Sequence, residues 1–377
     1  VMAKEAHMKS STLAVLVAAT VVIVGGASYA LYQRQQASAV AAQGGPLLPG
    51  LLAKVNNAAS LAVVGPKQTF TLVKGAGEVW TIAEKDGYPA KGDVVKKAII
   101  GMAELRTVEP RTGNPEMYER LGVGEPGKDP ESVGLTLKDA GGATLGAVIL
   151  GKTKTYDSGG KEGEYYVRVP GQKESWLAAA RLQAPGDVLR WIDNNVSRLG
   201  RDRVASATIA HPGEPPVRVV PDADKPGEFR LLGIPAGQKL KSSSDPNSTA
   251  GGLDYLAFDD VKKADKVDFT KGPMTAVYST ADGLDVTATM VVLDGKTWAK
   301  FNAAFDAARA AAFKPKAEEG KDPPAFDAKK VETEAADLNK KFDGWAFQLS
   351  DGNAKPLTRK MADLLESETK DEEKKAN

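Results

Sequence analysis

One short stretch of this sequence has the spacing of a phosphate-binding loop. Residues 146–153 read GAVILGKT, which satisfies the pattern G-x-x-x-x-G-K-[ST]. In such a loop, backbone amides hold the nucleotide phosphates, the lysine reaches the terminal phosphates and the hydroxyl residue binds magnesium. Lys152 and Thr153 are therefore the first residues to consider as a binding site.

The surrounding sequence argues against this interpretation. A working phosphate loop leads into a helix whose N-terminus faces the anion, whereas residues 154–169, KTYDSGGKEGEYYVRV, predict a glycine-rich turn and another strand. Residues 281–297 also end in Gly-Lys-Thr but lack the glycine spacing. We therefore predict that Lys152 and Thr153 lie exposed in a turn, that Val148 and Leu150 are buried or half-buried, and that no nucleotide binds.

Residue types that usually carry catalysis are scarce. The chain has no cysteine and only two histidines, His7 and His211, so thiolate chemistry and histidine metal clusters are not expected. The densest carboxylate group lacks the spacing of a calcium-binding loop, and we interpret its members as solvated: Asp254, Asp259, Asp260, Asp265 and Asp268. We predict no catalytic, cofactor-binding or metal residue, no cofactor, and a protein that is not an enzyme. A hydrolase with a carboxylate pair stays open as a minor alternative, because such pairs meet only in the fold.

One segment near the N-terminus is suited to a membrane. Leu13–Tyr32 carries no ionisable charge over 20 residues, and a helix of that length spans about 30 Å, the thickness of a bilayer core. Basic residues precede it, which indicates a cytoplasmic N-terminus. We predict residues 1–10 in the cytoplasm, an anchor at 11–32 and a linker at 33–50. The alternative is a signal peptide cleaved near residues 37–39.

The composition of the rest is that of folded, soluble domains. The 377 residues are 42% hydrophobic and 26% charged, which suits about two domains. The formal net charge of +1 gives no overall field that would attract nucleic acid. We therefore expect the bulk of the chain outside the cytoplasm, with no nucleic-acid partner.

Two units of similar order are visible after the linker. GEVWTI at 77–82 corresponds to GEFRLLGI at 227–234, and GYPAKGDVVK at 87–96 corresponds to GIPAGQKLKS at 233–242. Self-similarity of this kind predicts duplicated units. We predict an α+β fold with antiparallel or mixed sheets and packed helices, in a first unit at 51–193 and a second at 194–366, followed by a charged tail at 367–377.

Local patterns predict particular elements within these units. Residues 69–82 predict a β-hairpin with Trp80 in the core beneath it. Asp93 is expected to cap a helix that Pro110 stops. Trp298, Phe301 and Phe305 recur at helical spacing, which predicts a helix whose aromatic stripe packs in the core or forms a partner-binding face.

Several of these segments resemble one known family. They are LLPGLLAKVNNAASLAV, EVWTIAEKDGYPA, GMAELRTVEPRTGNPEMYERLGV, YYVRVPGQKESWLAA and WIDNNVSRLGRDRV. In this order they resemble a bacterial family of single-pass envelope proteins built on a domain of unknown function, often encoded beside the subunits of a gliding-type ABC transporter. The resemblance implies an N-terminal anchor in the bacterial inner membrane and an α+β region in the periplasm, and it brings no catalytic residue.

Two functional hypotheses follow from these observations. The first is a membrane-anchored, non-enzymatic accessory or scaffold subunit of a membrane complex of the ABC-transporter type. The second is a periplasmic module that binds an envelope glycan or lipid in an aromatic-lined groove, with Trp176 or Trp345 as candidate contacts. Partner identity separates the two, because only the first predicts a stable protein complex.

Overall fold

The structure is a computed structural model that describes residues 44–156, 158, 162–315 and 325–366. The predicted cytoplasmic segment, anchor and charged tail lie outside these residues, as does His7. Among the residues described, no helix is both long and apolar enough to cross a bilayer.

The chain divides into two compact units, the first ending at Asp193 and the second beginning at Asn194. Each unit is built on one large sheet with antiparallel strand pairs and carries short helices. The fold is therefore of mixed α and β type, with large antiparallel sheets.

The first sheet has nine strands in the order β4-β3-β2-β1-β6-β7-β8-β9-β5. The strands are β1 (Ala58–Val64), β2 (Thr69–Lys74), β3 (Trp80–Ile82), β4 (Tyr88–Pro89), β5 (Arg106–Pro110), β6 (Val133–Asp139), β7 (Thr144–Thr155), β8 (Gly163–Arg168) and β9 (Ser175–Ala180). The helices are α1 (Gly92–Ala103) and α2 (Tyr118–Leu121), with short 3-10 turns at Leu52–Asn57, Ala76–Glu78, Ala83–Lys85, Pro115–Met117 and Val188–Trp191.

The predicted hairpin at 69–82 is confirmed. β2 and β3 pair antiparallel with Leu72 opposite Ile82, and alternate residues of β1 and β2 are buried because a strand sends successive side chains to opposite faces. Trp80 is only half-buried, so the prediction that it lies in the core is wrong.

The helix predicted after Asp93 is also present, with different ends. α1 begins at Gly92, one residue before Asp93, whose carboxylate instead lies in the first turn, where it favours the helix dipole. The helix buries Val95, Ala98 and Met102 and ends at Ala103. Pro110 is the last residue of β5, so it does not stop the helix.

Residues 44–50 of the predicted linker belong to the folded unit. Gly44 N–H donates to Thr107 O at 2.9 Å, and Thr107 N–H donates back to Gly45 O at 2.9 Å. Leu47 N–H donates to Leu105 O, and the side chains of Leu47 and Leu48 are both 3% exposed. This segment pairs with β5, the edge strand of the sheet, so the linker cannot extend to residue 50.

The second sheet has eight strands in the order β13-β12-β11-β16-β17-β18-β19-β15, and a separate pair joins β10 to β14. The strands are β10 (Asn195–Ser197), β11 (Val204–Ala210), β12 (Val217–Pro221), β13 (Phe229–Leu232), β14 (Leu256–Ala257), β15 (Asp260–Lys263), β16 (Met274–Thr280), β17 (Leu284–Leu293), β18 (Lys296–Phe305) and β19 (Trp345–Leu349). The helices are α3 (Asp245–Ala250), α4 (Ala307–Ala312), α5 (Ala328–Phe342), α6 (Asp351–Ala354) and α7 (Met361–Leu364), with 3-10 turns at Arg201–Arg203, Ala264–Lys266 and Lys355–Leu357.

The two sheets share one strand order. When ten is subtracted from each strand number of the second sheet, the order becomes 3-2-1-6-7-8-9-5, which is the order of the first sheet without β4. The same correspondence applies to α1 and α3. In the chain, α1 lies between β3 and β5, and α3 lies between β13 and β15.

The aromatic residues predicted on a helix near 298–305 lie on strand β18. Trp298 and Phe301 are buried and fall on opposite faces of the sheet because their separation is odd. Phe301 packs against Phe342 of α5, with ring centroids 5.3 Å apart, and against Phe347 of β19. Trp298 shares a separate cluster with Val267 and other apolar residues.

A side chain completes the edge of β18 where β19 no longer pairs with it. Asn339 of α5 accepts a hydrogen bond from Ala303 N–H at 2.8 Å and donates one to Ala303 O at 2.7 Å. The amide therefore occupies the positions that a neighbouring strand would fill, and it fixes α5 against the sheet.

Two buried tyrosines make stability depend on alkaline pH. Burial raises the pKa of Tyr88, with the charge of Asp193 adding to the shift, and burial raises the pKa of Tyr278 although Arg359 opposes it. Tyrosines in the unfolded chain ionise near pH 10, so the unfolded state loses protons first and stability falls as the pH rises above about 10. Below that pH both states carry the neutral phenols, and this contribution is fully present.

We expect the 295 nm absorbance of the two phenolates to appear only together with unfolding. The variant Tyr88→Phe/Tyr278→Phe should show a flatter fall of stability between about pH 10 and pH 11. An equally steep fall in that variant would assign the alkaline sensitivity to other groups.

Candidate functional site

The stretch GAVILGKT lies inside strand β7. Val148 pairs with Leu135 and Leu150 with Val133, and both Val148 and Leu150 are buried as predicted. The backbone amides of these residues are thus hydrogen-bonded within the sheet, and the described residues between β7 and β8 contain no helix. This arrangement differs from a loop that curves around phosphates.

The predicted turn at Lys152 and Thr153 is wrong, because both residues belong to the strand. Lys152 is exposed, and its Nζ donates to the carbonyl of Arg120 at 3.3 Å. The second Gly-Lys-Thr sits elsewhere, since Asp294 and Gly295 form the turn between β17 and β18 with φ of 51° and 71°. The two copies of Gly-Lys-Thr therefore occupy different places in the two sheets.

The carboxylates of residues 254–268 are spread along loops and short elements of the second unit. Asp268 accepts hydrogen bonds from the amide and hydroxyl of Thr270, which lower the pKa of its carboxyl. Asp260 accepts from the neighbouring Val261 N–H. In the parts of the chain that the structure describes, no three histidine or carboxylate side chains lie close enough together to hold a metal ion.

The tryptophans proposed for an aromatic groove do not present open faces. Trp176 is 6% exposed in β9, and Trp345 is 9% exposed in β19 with the Nζ of Lys263 only 3.7 Å from its ring centroid. Sugar-binding platforms need an aromatic ring with one accessible face. The glycan version of the binding hypothesis therefore loses its two candidate contacts.

Two adjoining concavities in the second unit meet at Thr358, and sequence patterns did not reveal them. The first has a volume of about 440 Å³ and contains His211, whose Nε2 lies 3.0 Å from Thr358 O. The ion pair between Lys360 and Glu214 borders it, and the 63% exposed Val292 gives it an apolar wall.

The second concavity, of about 580 Å³, is more basic. Lys241, Lys355 and Arg359 line it together with the carboxylates of Asp245 and Asp363. Arg359 is 8% exposed, and its Nη1 is 2.8 Å from Asp245 Oδ1, so these two charges offset each other. The two lysines outnumber the remaining carboxylate, Asp363, so the lining keeps one net positive charge, which suits an anionic group better than a cation.

A cluster of lysines on aromatic rings lies near the β15 edge of the second sheet. Lys262 Nζ lies 3.8 Å from the ring centroid of Trp298, and Lys300 Nζ lies 5.0 Å from that of Phe269. With the Lys263 contact to Trp345, these pairs stabilise the fold by cation–π attraction. Lysines on an edge strand also disfavour edge-to-edge aggregation, so a structural role accounts for this cluster.

The fold and the two concavities describe the protein in structural terms. It is an α+β protein with two large antiparallel sheets of like strand order, and its polar clefts hold paired charges. The family model described as "Domain of unknown function (DUF4340)" matches residues 80–269, and the chain belongs to that family. Neither a curated protein nor a solved structure significantly matches it. This match confirms the part of the resemblance that concerns a family built on a domain of unknown function.

The matched region does not coincide with either unit. It begins at the first residue of β3 and ends just after the 3-10 turn that follows β15, so it crosses from Asp193 to Asn194. The family is therefore defined by parts of both units together.

Proposed function

We propose that this protein is a membrane-anchored periplasmic protein of the bacterial inner membrane that acts as a non-enzymatic accessory or scaffold subunit of a membrane complex of the ABC-transporter type. The apolar, uncharged segment Leu13–Tyr32 supports the anchor. The two sheets, whose clefts are occupied by ion pairs and structural hydrogen bonds, support a role in binding other proteins.

The attachment of residues 44–47 to the first sheet carries this proposal. Residues 33–43, eleven in number, separate the end of the predicted anchor from Gly44, which is already hydrogen-bonded to β5. Even fully extended, such a segment reaches only about 40 Å. A short connection of this kind holds the first unit near the membrane surface, where it can meet the extracytoplasmic parts of a membrane complex.

The proposal includes the duplication of one ancestral unit. It is supported by the shared strand order of the two sheets and by the paired sequence segments at 77–96 and 227–242. A duplicated scaffold offers two related surfaces that can diverge toward different partners.

Co-purification of the full chain from bacterial membranes in mild detergent tests the proposal. We expect the same membrane-complex subunits to accompany the protein in repeated preparations, and we expect salt-washed membranes to retain it. A flexible insertion of about twenty residues between Ala42 and Gln43 should leave the melting temperature unchanged and reduce the recovered partner several-fold, because the first unit is no longer confined.

The same insertion after Glu366 serves as the control and should leave partner recovery unchanged. A protein that is consistently solitary would contradict the scaffold role, and release of the protein without detergent would contradict the anchor. Equal recovery with both insertions would remove the requirement for a short connection.

The second candidate function is a binding module for an anionic lipid headgroup. The excess of positive charge around Lys241 and Lys355 beside the buried Arg359 favours it. Vesicles containing anionic phospholipid should then bind the wild-type protein several-fold more tightly than the variant Lys241→Ser/Lys355→Ser, and equal binding would exclude this function.

A further inference from the structure

The first sheet has an outermost strand, β4, at the edge where the second sheet ends at β13. In the first unit, β4 covers the outer side of β3, with Ile82 opposite Tyr88. Ala90 N–H donates to Trp80 O at 2.8 Å, and Gly87 N–H donates to Ile82 O at 2.9 Å. The chain thus supplies its own outermost strand at this edge.

The second unit has no such strand within the residues described, so β13 forms the edge. After β13 the chain turns away and pairs with the residues around α7. Lys241 N–H donates to Leu364 O at 2.8 Å, and Glu366 N–H donates to Lys239 O at 2.9 Å. The chain after β13 therefore bonds to the C-terminal part of the unit instead of adding a strand to β13.

The hydrogen-bond alternation shows which groups of β13 face outward. Asp222 N–H donates to Glu228 O, and Val220 lies opposite Arg230, so even-numbered residues of β13 bond to β12. Phe229 and Leu231 then direct their N–H and C=O groups away from the sheet. Phe229 N–H donates to Asn247 Oδ1 at 2.7 Å. The outward N–H and C=O of Leu231 have no hydrogen-bond partner in the described part of the chain.

The side chains beside this edge give it a charge. Arg218 and Arg230 are both exposed on the sheet face opposite to the buried Val219 and Leu231, and neither pairs with a carboxylate of the described residues. Asp222 and the exposed Glu228 lie at the turn end of the β12–β13 hairpin, so the arginines dominate toward its open end.

An exposed apolar residue follows the strand. Ile234 is 36% exposed, directly after Gly233, whose φ of 72° turns the chain outward. An edge with an unused backbone donor and acceptor, flanking arginines and an exposed isoleucine has the features on which extended peptides add as a further strand.

We propose that β13 is a docking edge on which an extended segment of a partner protein adds as an extra strand, with carboxylate side chains facing Arg218 and Arg230. This surface rests on the proposed scaffold function and assigns it a position in the second unit. The backbone of Leu231 supplies the hydrogen bonds, and the arginines select an acidic sequence. Addition of β13 from a second copy would bring like charges together on one face, which is unfavourable.

Binding of two synthetic peptides to the full chain in detergent tests the proposal. One alternates valine with glutamate, and the other alternates valine with lysine. We expect the acidic peptide to bind about tenfold more tightly, because its carboxylates attract the two exposed arginines and the ammonium groups of the other peptide repel them. Hydrogen exchange should slow across residues 229–234 when it binds.

Charge reversal supplies the decisive variant. Arg218→Glu/Arg230→Glu should reverse the preference in favour of the lysine peptide, whereas the control Arg198→Glu/Lys296→Glu, with the same change in charge in the same unit, should keep the preference for the acidic one. An unchanged melting temperature confirms that each variant folds.

Several results would overturn the proposal. Equal binding of the two peptides, or no binding of either, is one such result. Slower hydrogen exchange at another strand is a second. Slower exchange of residues 229–234 that depends on protein concentration without peptide is a third, and it would assign the edge to a second copy. The scaffold function is tested separately: if the wild type recovers partner subunits and Arg218→Glu/Arg230→Glu recovers them equally well, only the docking edge fails. If the wild type recovers none, the scaffold function fails and the peptide result stands by itself.

Discussion

Replacing Gly151 with alanine is expected to lower the free energy of unfolding of the first unit by about 2–3 kcal/mol, the cost of forcing an added methyl group into a packed site. A Cβ atom at this position would lie 2.3 Å from Leu121 O and 2.8 Å from Gly122 O. Both neighbours are backbone atoms that cannot rotate away. The melting temperature should fall by roughly 5–10 °C, measured by circular dichroism.

The adjacent Lys152→Ala is the matched control. Its side chain is exposed, and its one hydrogen bond to a described residue is to a backbone carbonyl, so the loss should stay within about 0.5 kcal/mol. A phosphate-binding loop predicts a different result, because there the lysine contacts the nucleotide. Lys152→Ala would then abolish nucleotide binding. A Gly151→Ala protein as stable as the wild type would contradict the packing described for β7.

Replacing Arg359 with methionine should destabilise the second unit by about 2–3 kcal/mol, less than for a fully buried pair, because the unpaired carboxylate of Asp245 keeps some contact with solvent. The Arg359 side chain is 9% exposed and that of Asp245 is 17% exposed, with 2.8 Å between Nη1 and Oδ1. The loss should appear as a lower urea midpoint for the second unit.

The double variant Asp245→Asn/Arg359→Met distinguishes a charge effect from a loss of packing. Because it removes both charges, it should be more stable than Arg359→Met alone, and the double-mutant cycle should give a coupling well above the 0.5 kcal/mol typical of independent sites. If the single losses add without coupling, the ion pair contributes nothing specific, and Arg359 acts through its hydrocarbon alone.

Local patterns predicted the elements whose periodicity and tertiary role agree. The hairpin at 69–82 shows alternating burial, and α1 buries the face that its apolar spacing indicates. In both cases the apolar residues whose spacing identifies the element are also the residues that the fold buries.

The prediction failed where composition and tertiary context disagree. Residues 296–305 are rich in alanine and place aromatics three or four apart, yet they form β18 because β17 and β19 pair with it on its two sides, and packing on the two faces of the sheet buries Phe301 and Trp298. Strand preference depends on such neighbours far more than on the residue itself. The helix appears only from Ala307, where Asp306 caps it.

Some features of the fold depend on contacts between distant parts of the chain, and no local sequence pattern indicates them. The burial of Leu47 and Leu48 depends on β5, about sixty residues later in the chain, and the concavity around Arg359 brings together residues from 241 to 363. Single-sequence reasoning found no catalytic or metal residue, and it gave no signal for these clefts or for the difference between the edges at β3 and β13.

The boundaries of the family match have a consequence for fragments of this chain. Residues 80–269 lack β1 and β2, which join β3 to β6, and they lack β16 to β19, which join β11 to β15. Cutting the protein at these boundaries would interrupt both sheets in the middle and leave several strands without hydrogen-bonded neighbours. The segment by which the family is recognised is therefore not an autonomous folding unit, and only a chain that extends beyond it in both directions can close its own sheets.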